Sequence, residues 1–337
     1  MVANTSIKIG DTVITPGHRI NVSLPVGDLY TATSLSMPVQ VISGRSAGPT
    51  LFVSAAVHGD ELNGVEIIRR LLKRKALRSI RGTLLAIPIV NVHGFLNQSR
   101  YLPDRRDLNR SFPGSARGSI ASRLAHTFYN EIVSKADYGI DLHTGAINRT
   151  NLPQIRGNLD DERTLELARA FGVPVIVNAN TRDGSLRASV ADLKTPVLIY
   201  EAGEALRFDE ISIRAGLRGV TNIMREIGML PRLKRSARPL TPVLARSTSW
   251  VRAPASGIVS DRVKLGSTVT NGQCLATIGD PLGTQEEIVK APFDGIIIGM
   301  SKLPLAHEGD ALFNVAAFTS VAKAEDLVEE FTSELDD

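Results

Sequence analysis

The spacing of apolar residues divides the chain into regions of different character. Residues 1–45 alternate polar and apolar positions, as in Ile20-Asn-Val-Ser-Leu24, and glycine or proline interrupts the alternation every few residues. This pattern is typical of short β-strands. From about residue 50 to residue 230, short apolar runs alternate with longer segments whose apolar residues recur at helical spacing, which predicts strands that alternate with helices.

The middle region, residues 46–230, predicts an α/β domain. Strands are expected near residues 51–57, 82–90, 138–142, 174–178 and 196–200, and helices near 63–75, 120–134, 160–171 and 208–227. The run from Leu84 to Val90 is apolar on both faces, as a sheet covered by helices requires. The N-terminal β segments of residues 1–45 are expected to pack on this domain.

The pattern changes again in the last third of the chain. Residues 231–250 are rich in proline and arginine and predict a linker. Residues 251–320 place many glycines among short apolar runs, which predicts a small all-β domain of barrel or sandwich type. The acidic tail, residues 321–337, is expected to fray.

The predicted β domain contains a weak internal repeat. The segment from Ala253 to Val259 resembles the segment from Ala291 to Ile297, and two such halves resemble the biotinyl and lipoyl carrier domains. Those carriers expose a lysine at a hairpin tip, whereas Lys290 directly precedes an Ala-Pro pair. A structural or oligomerising role is therefore favoured over a carrier role, and a homo-oligomer stays open.

Composition and charge narrow the class of protein. The chain of 337 residues is 43% hydrophobic and 22% charged, with a net charge of +4. No acid lies between Glu226 and Asp261, but prolines interleave the basic residues there and few aromatics accompany them, so a solvated linker is favoured over a nucleic-acid surface. Cys274 is the single cysteine, no apolar run could span a membrane, and we expect a cytoplasmic protein with no membrane partner.

Three residues have the spacing of a catalytic zinc site. His58 and Glu61 follow the apolar run of residues 50–57, and His143 ends a second apolar stretch some eighty residues later. Catalytic zinc is held by three nitrogen or oxygen ligands with one open position. An H-x-x-E pair arises easily by chance, but both clusters follow strand-like runs, where open α/β sheets place their ligand crevice.

A zinc hydrolase also needs a proton-transferring carboxylate that is not itself a ligand. Glu201 ends the apolar run that begins at Val197, so it is expected at the same crevice as the metal ligands. Glu204, three residues later, is the competing candidate. An ordinary carboxylate at a strand end is the alternative interpretation for either residue.

The segment from Arg100 to Gly114 is a long loop rich in arginine. An arginine presents a planar fork that can bind a carboxylate with two hydrogen bonds or stabilise an oxyanion. Asn109 and Arg110 lie among apolar residues, which predicts partial burial and therefore an anionic partner. A run of surface arginines is the alternative explanation, and His93 is interpreted as a hydrogen-bonded core residue.

Together these motifs resemble the succinylglutamate desuccinylase/aspartoacylase family, a branch of the zinc carboxypeptidase superfamily. The resemblance covers roughly residues 50–230, and the small β domain is similar to the C-terminal domain of that family. The matching motifs are His58-Gly-Asp-Glu61, Asp107-Leu-Asn-Arg110, Asp141-Leu-His143-Thr-Gly145 and Glu201-Ala-Gly203. Four motifs in the same order are far more specific than any one of them.

The resemblance implies a catalytic domain with a mostly parallel mixed sheet that binds one zinc ion per chain through His58, Glu61 and His143. It also implies that Glu201 is the general base. Asn109 and Arg110 match the pair that holds the carboxylate of the substrate. Arg100 matches the arginine that polarises the scissile carbonyl. Arg106 is the alternative for that role and is otherwise expected to bind the substrate.

The implied reaction is hydrolysis of the amide bond of a small N-acyl amino acid or a related acylated amine. The acyl group is left open, because the pocket walls are expected to come from loops such as residues 144–158 and 180–189. A zinc carboxypeptidase that acts on peptides is the nearest alternative. A non-catalytic binding or carrier protein that uses the β domain is the alternative from another class.

Overall fold

The computed structural model describes residues 2–179, 182–191, 193–232, 242–245, 247–318 and 321–336. The strands are β1 (Ile7–Ile9), β2 (Thr12–Ile14), β3 (Arg19–Asp28), β4 (Ser34–Ser43), β5 (Ser46–Ala55), β6 (Arg81–Ile87), β7 (Tyr138–Gly145), β8 (Arg149–Gly157), β9 (Val175–Asn178), β10 (Val197–Glu204), β11 (Val243–Ala245), β12 (Ser247–Arg252), β13 (Gly257–Asp261), β14 (Thr268–Val269), β15 (Cys274–Gly279), β16 (Glu286–Lys290), β17 (Gly295–Ser301), β18 (Leu305–Ala306) and β19 (Ala311–Ala317). The helices are α1 (Asn63–Leu71), α2 (Val92–Leu96), α3 (Ile120–Glu131), α4 (Glu162–Phe171), α5 (Leu186–Ser189), α6 (Glu210–Glu226) and α7 (Val321–Asp336), with 3-10 turns at Lys75–Ser79, Leu108–Arg110 and Val133–Lys135.

One large mixed sheet organises the molecule. Its main strand order is β12-β19-β17-β8-β10-β7-β5-β6-β4-β3. The central strands β10, β7, β5 and β6 are parallel, whereas β8 and β4 join them on either side in antiparallel orientation. The carboxyl ends of the parallel strands therefore meet at one edge of the sheet, where such folds place their ligands.

Successive residues of β5 point to opposite faces of the sheet and bury into two different cores. Leu51 and Val53 pack with residues of α1, α4 and α6 on one face. Phe52 packs on the other face, where its ring meets the edge of Phe128 from α3 at a centroid distance of 6.1 Å. Burial of each such side chain stabilises the fold by about 1.5–3 kcal/mol. The predicted α/β class with helices on both faces is confirmed.

The C-terminal region consists of antiparallel strands, as predicted, but it continues the large sheet. Its four-stranded sheet has the order β16-β15-β13-β18. Its other strands, β12, β14, β17 and β19, extend the main sheet because β17 pairs with β8 at residues 149–151. The C-terminal region is thus joined to the central strands through the pairing of β17 with β8.

Two expectations about local structure were wrong. Residues 149–157 form strand β8, within a segment expected to be a loop. The acidic tail does not fray but forms helix α7, because its buried side chains recur at helical spacing and pack on the body of the protein; these are Ala324, Val328, Phe331 and Leu335.

The expected linker, residues 231–250, lies partly outside the described residues, and its described part includes the short strands β11 and β12. Among the helices that the structure describes, none has the length and apolar character needed to cross a bilayer.

Candidate active site

The loop that follows β5 carries the first two candidate ligands, and its backbone is tightly constrained. Ala56 has a φ of 51°, a left-handed conformation that costs a non-glycine residue roughly 1–2 kcal/mol. At Gly59, a Cβ atom would lie 1.9 Å from the carbonyl carbon of Gly94 in α2. A backbone constrained in this way is frequent at functional sites, and here the two constrained positions flank His58.

His58, Glu61 and His143 form one compact cluster. Glu61 Oε1 lies 2.7 Å from His58 Nδ1, and Glu61 Oε2 lies 2.8 Å from His143 Nδ1. One ligand atom from each residue falls within 4.8 Å of the others, and all three side chains are buried. The sequence prediction that these residues come together agrees with this geometry.

The second nitrogen of each imidazole faces a carboxylate. His143 Nε2 lies 2.7 Å from Asp141 Oδ2, and the hydroxyl of Ser54 donates to Asp141 Oδ1 at 2.7 Å. His58 Nε2 lies 3.2 Å from Asp107 Oδ1. Carboxylates in this position orient metal-binding imidazoles, so the donor set and its surroundings fit a zinc ion.

Asp141 and Asp107 lie within the motifs that resemble the family, but no role was predicted for either residue. The signal for Asp141 was present, because residues two apart on a strand share a face and therefore place Asp141 beside His143. Asp107 lies 49 residues from His58 in sequence, and only the folded loop brings the two together.

The electrostatics of the cluster favour an ionised Glu61 between two imidazoles. Burial raises the pKa of Glu61, but the opposing effects of His58 and His143 outweigh it and hold the pKa well below its usual range. Burial lowers the pKa of His143, but Asp141 and Glu61 raise it well above its ordinary value. A cation of higher charge would replace those imidazole protons, as metal binding to histidine requires.

Glu201 lies on the neighbouring strand and faces the same cavity. β10 runs parallel to β7 with Glu201 opposite His143. Glu201 Oε2 accepts hydrogen bonds from Asn151 Nδ2 at 3.0 Å and from Arg156 Nη1 at 3.4 Å. Glu204 does not line the cavity; its carboxylate accepts from the backbone N–H of Asn148 at 3.0 Å.

The predicted arginine loop reaches the cluster through Arg100. Arg100 Nη1 lies 3.4 Å from Glu61 Oε1, and Nη2 donates to Asp107 Oδ2 at 3.1 Å. The structure does not bring Arg106 to the cavity: its side chain is 64% exposed and lies 3.8 Å from Asp104.

Asn109 and Arg110 follow in the same loop and also line the cavity. Asn109 Oδ1 accepts the backbone N–H of Leu186 at 3.0 Å, which ties this loop to the start of α5. His93 is buried in α2 and is not part of the cavity wall, as expected.

The cavity that contains these groups has a volume of about 530 Å³. Arg156, Arg182 and Arg187 also line it, together with Thr248 and Trp250 from β12. Burial lowers the pKa of Arg187, and the nearby positive charge of Arg156 lowers it further. Arg156, Arg182 and Arg187 fall in the segments that were expected to form the pocket walls, although none of the three was singled out. Thr248 and Trp250 were not predicted at the cavity, because β12 is placed there through its pairing with the distant strand β19.

The chain matches a known family and known proteins. A family model described as the succinylglutamate desuccinylase/aspartoacylase catalytic domain matches residues 47–227, more than half of the 337 residues. Over 306 residues the chain is 26% identical to N-alpha-acetyl-L-2,4-diaminobutyric acid deacetylase of Halomonas elongata, covering 87% of this chain and 89% of that protein. Over 212 residues it is 23% identical to a succinylglutamate desuccinylase of Pseudomonas aeruginosa, covering 58% of this chain and 63% of that protein.

Solved structures share the fold over nearly the whole chain. A succinylglutamate desuccinylase/aspartoacylase from Rhodobacter sphaeroides superimposes with a TM-score of 0.79 at 26% identity, covering 89% of this chain and 95% of the other. The product-bound ectoine utilization protein of Ruegeria pomeroyi gives a TM-score of 0.81 at 22% identity, with 93% and 99% covered. The C-terminal β strands are therefore part of the shared fold.

Proposed function

Since this chain belongs to the succinylglutamate desuccinylase/aspartoacylase family, we propose that it is a zinc-dependent hydrolase of a small N-acyl amino acid. One observation carries the proposal: a buried His-Glu-His cluster shares a cavity with a separate carboxylate, Glu201, and with several arginines. The substrate would lose its acyl group as a carboxylic acid and leave a free amine.

His58, Glu61 and His143 would hold the zinc ion. When bound, zinc supplies Lewis acidity and lowers the pKa of water toward ~7. Glu201 takes a proton from the attacking water and returns it to the nitrogen of the leaving amine. We assign both transfers to Oε1, because Asn151 and Arg156 both contact Oε2.

The arginine loop would bind the rest of the substrate. Arg100, beside Glu61, is placed to stabilise negative charge on the carbonyl oxygen as water adds to the amide. Asn109 and Arg110 would bind the carboxylate of the amino acid. The backbone N–H of Leu186 donates to Asn109 Oδ1, which leaves Asn109 Nδ2 to donate to the substrate.

The charge of the cavity supports an anionic substrate. Five arginines line it, namely Arg100, Arg110, Arg156, Arg182 and Arg187. Glu61 and Glu201 are the acids among the described residues that line it. A concave surface with such an excess of one charge concentrates ligands of the opposite charge. The names of the relatives, an acetyl-diaminobutyrate deacetylase and succinylglutamate desuccinylases, show that the acyl group varies among related proteins.

The proposal is tested by measuring amine release from a panel of acetyl and succinyl amino acids and from peptides with free C-termini. We expect hydrolysis of one or more N-acyl amino acids, and loss of that hydrolysis when the carboxylate of the best substrate is replaced by a carboxamide. Hydrolysis of peptides alone would contradict the proposal and favour a carboxypeptidase. Full activity in a Glu201→Gln variant would contradict the proposed base.

A further inference from the structure

The contacts of the proposed base extend into the C-terminal region. Asn151 lies on β8, which pairs with β10 on one side and with β17 on the other. Its side chain is buried, and its Nδ2 donates to Glu201 Oε2 at 3.0 Å. Asn151 is thus the direct link between the catalytic carboxylate and the strand contributed by the C-terminal region.

The side-chain oxygen of Asn151, Oδ1, faces Gly299 of β17. The two residues are paired across the strands, and a Cβ atom at Gly299 would lie 2.8 Å from Asn151 Oδ1. The next nearest atoms are farther away, with Asn314 Cβ at 3.4 Å and the Thr150 carbonyl oxygen at 3.6 Å. A methyl group at position 299 would therefore displace the Asn151 amide before anything else.

The attachment of β17 to β8 is well defined on both sides of this contact. The backbone N–H of Lys302 donates to the Asn148 carbonyl oxygen at 2.7 Å, and Gln154 Nε2 donates to the Ile298 carbonyl oxygen at 3.4 Å. These contacts define the register of β17 on β8, which places Gly299 opposite Asn151.

We propose that the C-terminal region positions the general base: Gly299 of β17 confines the Asn151 amide, and Asn151 holds Glu201 at the cavity. The physical reason is geometric. An asparagine that donates Nδ2 to Glu201 must direct Oδ1 to the opposite side, and only a residue without a side chain leaves room for it there. Asn151 and Gly299 are positioning residues, and the inference rests on the proposed role of Glu201.

Loss of this positioning should affect turnover rather than substrate binding. A general base contributes about 10²–10⁴ in rate, and a misplacement of about 1 Å can cost about 10²-fold. We therefore expect Asn151→Ala to lower kcat by roughly ten- to hundredfold with KM within about twofold of wild type. Gly299→Ala should lower kcat by several-fold, because it shifts the Asn151 amide without removing it.

A double-mutant cycle with zinc analysis tests the inference. If Gly299 acts through Asn151, the chain carrying both substitutions should have the kcat of Asn151→Ala alone. The matched control is Gly279→Ala, in β15 of the same region, where the nearest atom to an added Cβ is the Gln285 carbonyl oxygen at 3.4 Å. That control should keep the wild-type kcat, and all variants should keep the wild-type zinc content.

Three results would overturn the inference: wild-type kcat in Asn151→Ala and Gly299→Ala, fully multiplicative effects in the doubly substituted chain, or a Gly299→Ala chain that does not fold. The last would show that the added methyl group disturbs more than the Asn151 amide. A Glu201→Gln variant separates this outcome from failure of the proposed function. An inactive Glu201→Gln beside fully active Asn151 and Gly299 variants overturns only the positioning role, whereas an active Glu201→Gln overturns the proposed base itself.

Discussion

The two sides of the cavity are built in different ways. On the side proposed to bind the metal (the metal side), His58, Glu61 and His143 are 4%, 2% and 5% exposed. Each imidazole contacts a carboxylate, and Glu61 accepts from the backbone N–H of Thr144 in β7. On the other side, Arg110 and Arg182 line the cavity and are exposed to solvent.

In the proposed mechanism, the buried side carries the reacting groups and the exposed side binds the rest of the substrate. A buried imidazole whose second nitrogen already contacts a carboxylate is held in one orientation. A site built from such imidazoles would hold a metal in the same geometry for every substrate. Partly exposed arginines on long stems can bind anions of different length. A family with one reaction and several acyl groups is what such a division would produce.

The largest expected effect comes from removing a metal ligand. His58→Ala should lose bound zinc and reduce amide hydrolysis to background, because two remaining ligands do not complete a catalytic site. His18→Ala, which changes an exposed histidine in the N-terminal region, should behave as wild type in zinc content and rate. Retained zinc and activity in His58→Ala would contradict the proposal that His58 is a metal ligand.

A smaller effect is expected from Glu201→Gln. This variant should keep one zinc ion per chain while kcat falls by about 10²–10⁴-fold, because the carboxamide cannot accept the proton of water. Glu204→Gln is the matched control, since Glu204 lies three residues away and does not line the cavity. Equal losses in the two variants would contradict the choice of Glu201.

The carboxylate behind His143 should matter for the metal more than for the substrate. We expect Asp141→Asn to weaken zinc affinity by about 10–100-fold, because it removes the charge that orients His143 and raises its basicity. Competition with a chelator measures this directly. An unchanged affinity would show that the buried carboxylate does not support the metal side.

The smallest effect is expected on the arginine side. Arg110→Gln should raise KM by roughly tenfold for the best anionic substrate, since a charged hydrogen bond contributes about 1.5–3 kcal/mol. Its zinc content should be that of wild type. Arg106→Gln, at the exposed arginine beside Asp104, is the control and should leave both KM and kcat unchanged. Loss of zinc in Arg110→Gln would contradict the claim that the arginines bind substrate without supporting the metal.

The clustering of His58, Glu61 and His143 could be predicted from sequence, because these residues follow apolar runs at the carboxyl ends of neighbouring strands. On the arginine side, Asn109 and Arg110 were predicted individually, whereas residues 144–158 and 180–189 were predicted only as segments that form the pocket walls. Arg156 lies in the first of these segments, but it was not singled out because β8 did not look like a strand: it contains Pro153 and buries polar residues such as Asn151 and Gln154.

The buried polar residues Asn151 and Gln154 make hydrogen bonds to strands that are distant in sequence. Asn151 is buried because it meets Glu201, and Gln154 because it meets the backbone of β17. Helix α7 was missed although its signal was present in the sequence. Its apolar residues Val328, Phe331 and Leu335 have helical spacing, but the acidic composition of the tail was given more weight.

The most direct test of a zinc-dependent deacylase is to titrate the metal-free protein with zinc and to follow hydrolysis of its best N-acyl amino acid. The account predicts background activity without metal, a rise in proportion to bound zinc, and a plateau at one zinc ion per chain. Full activity in protein that holds no divalent metal, or zinc binding at one ion per chain without hydrolysis of any N-acyl amino acid, would contradict it.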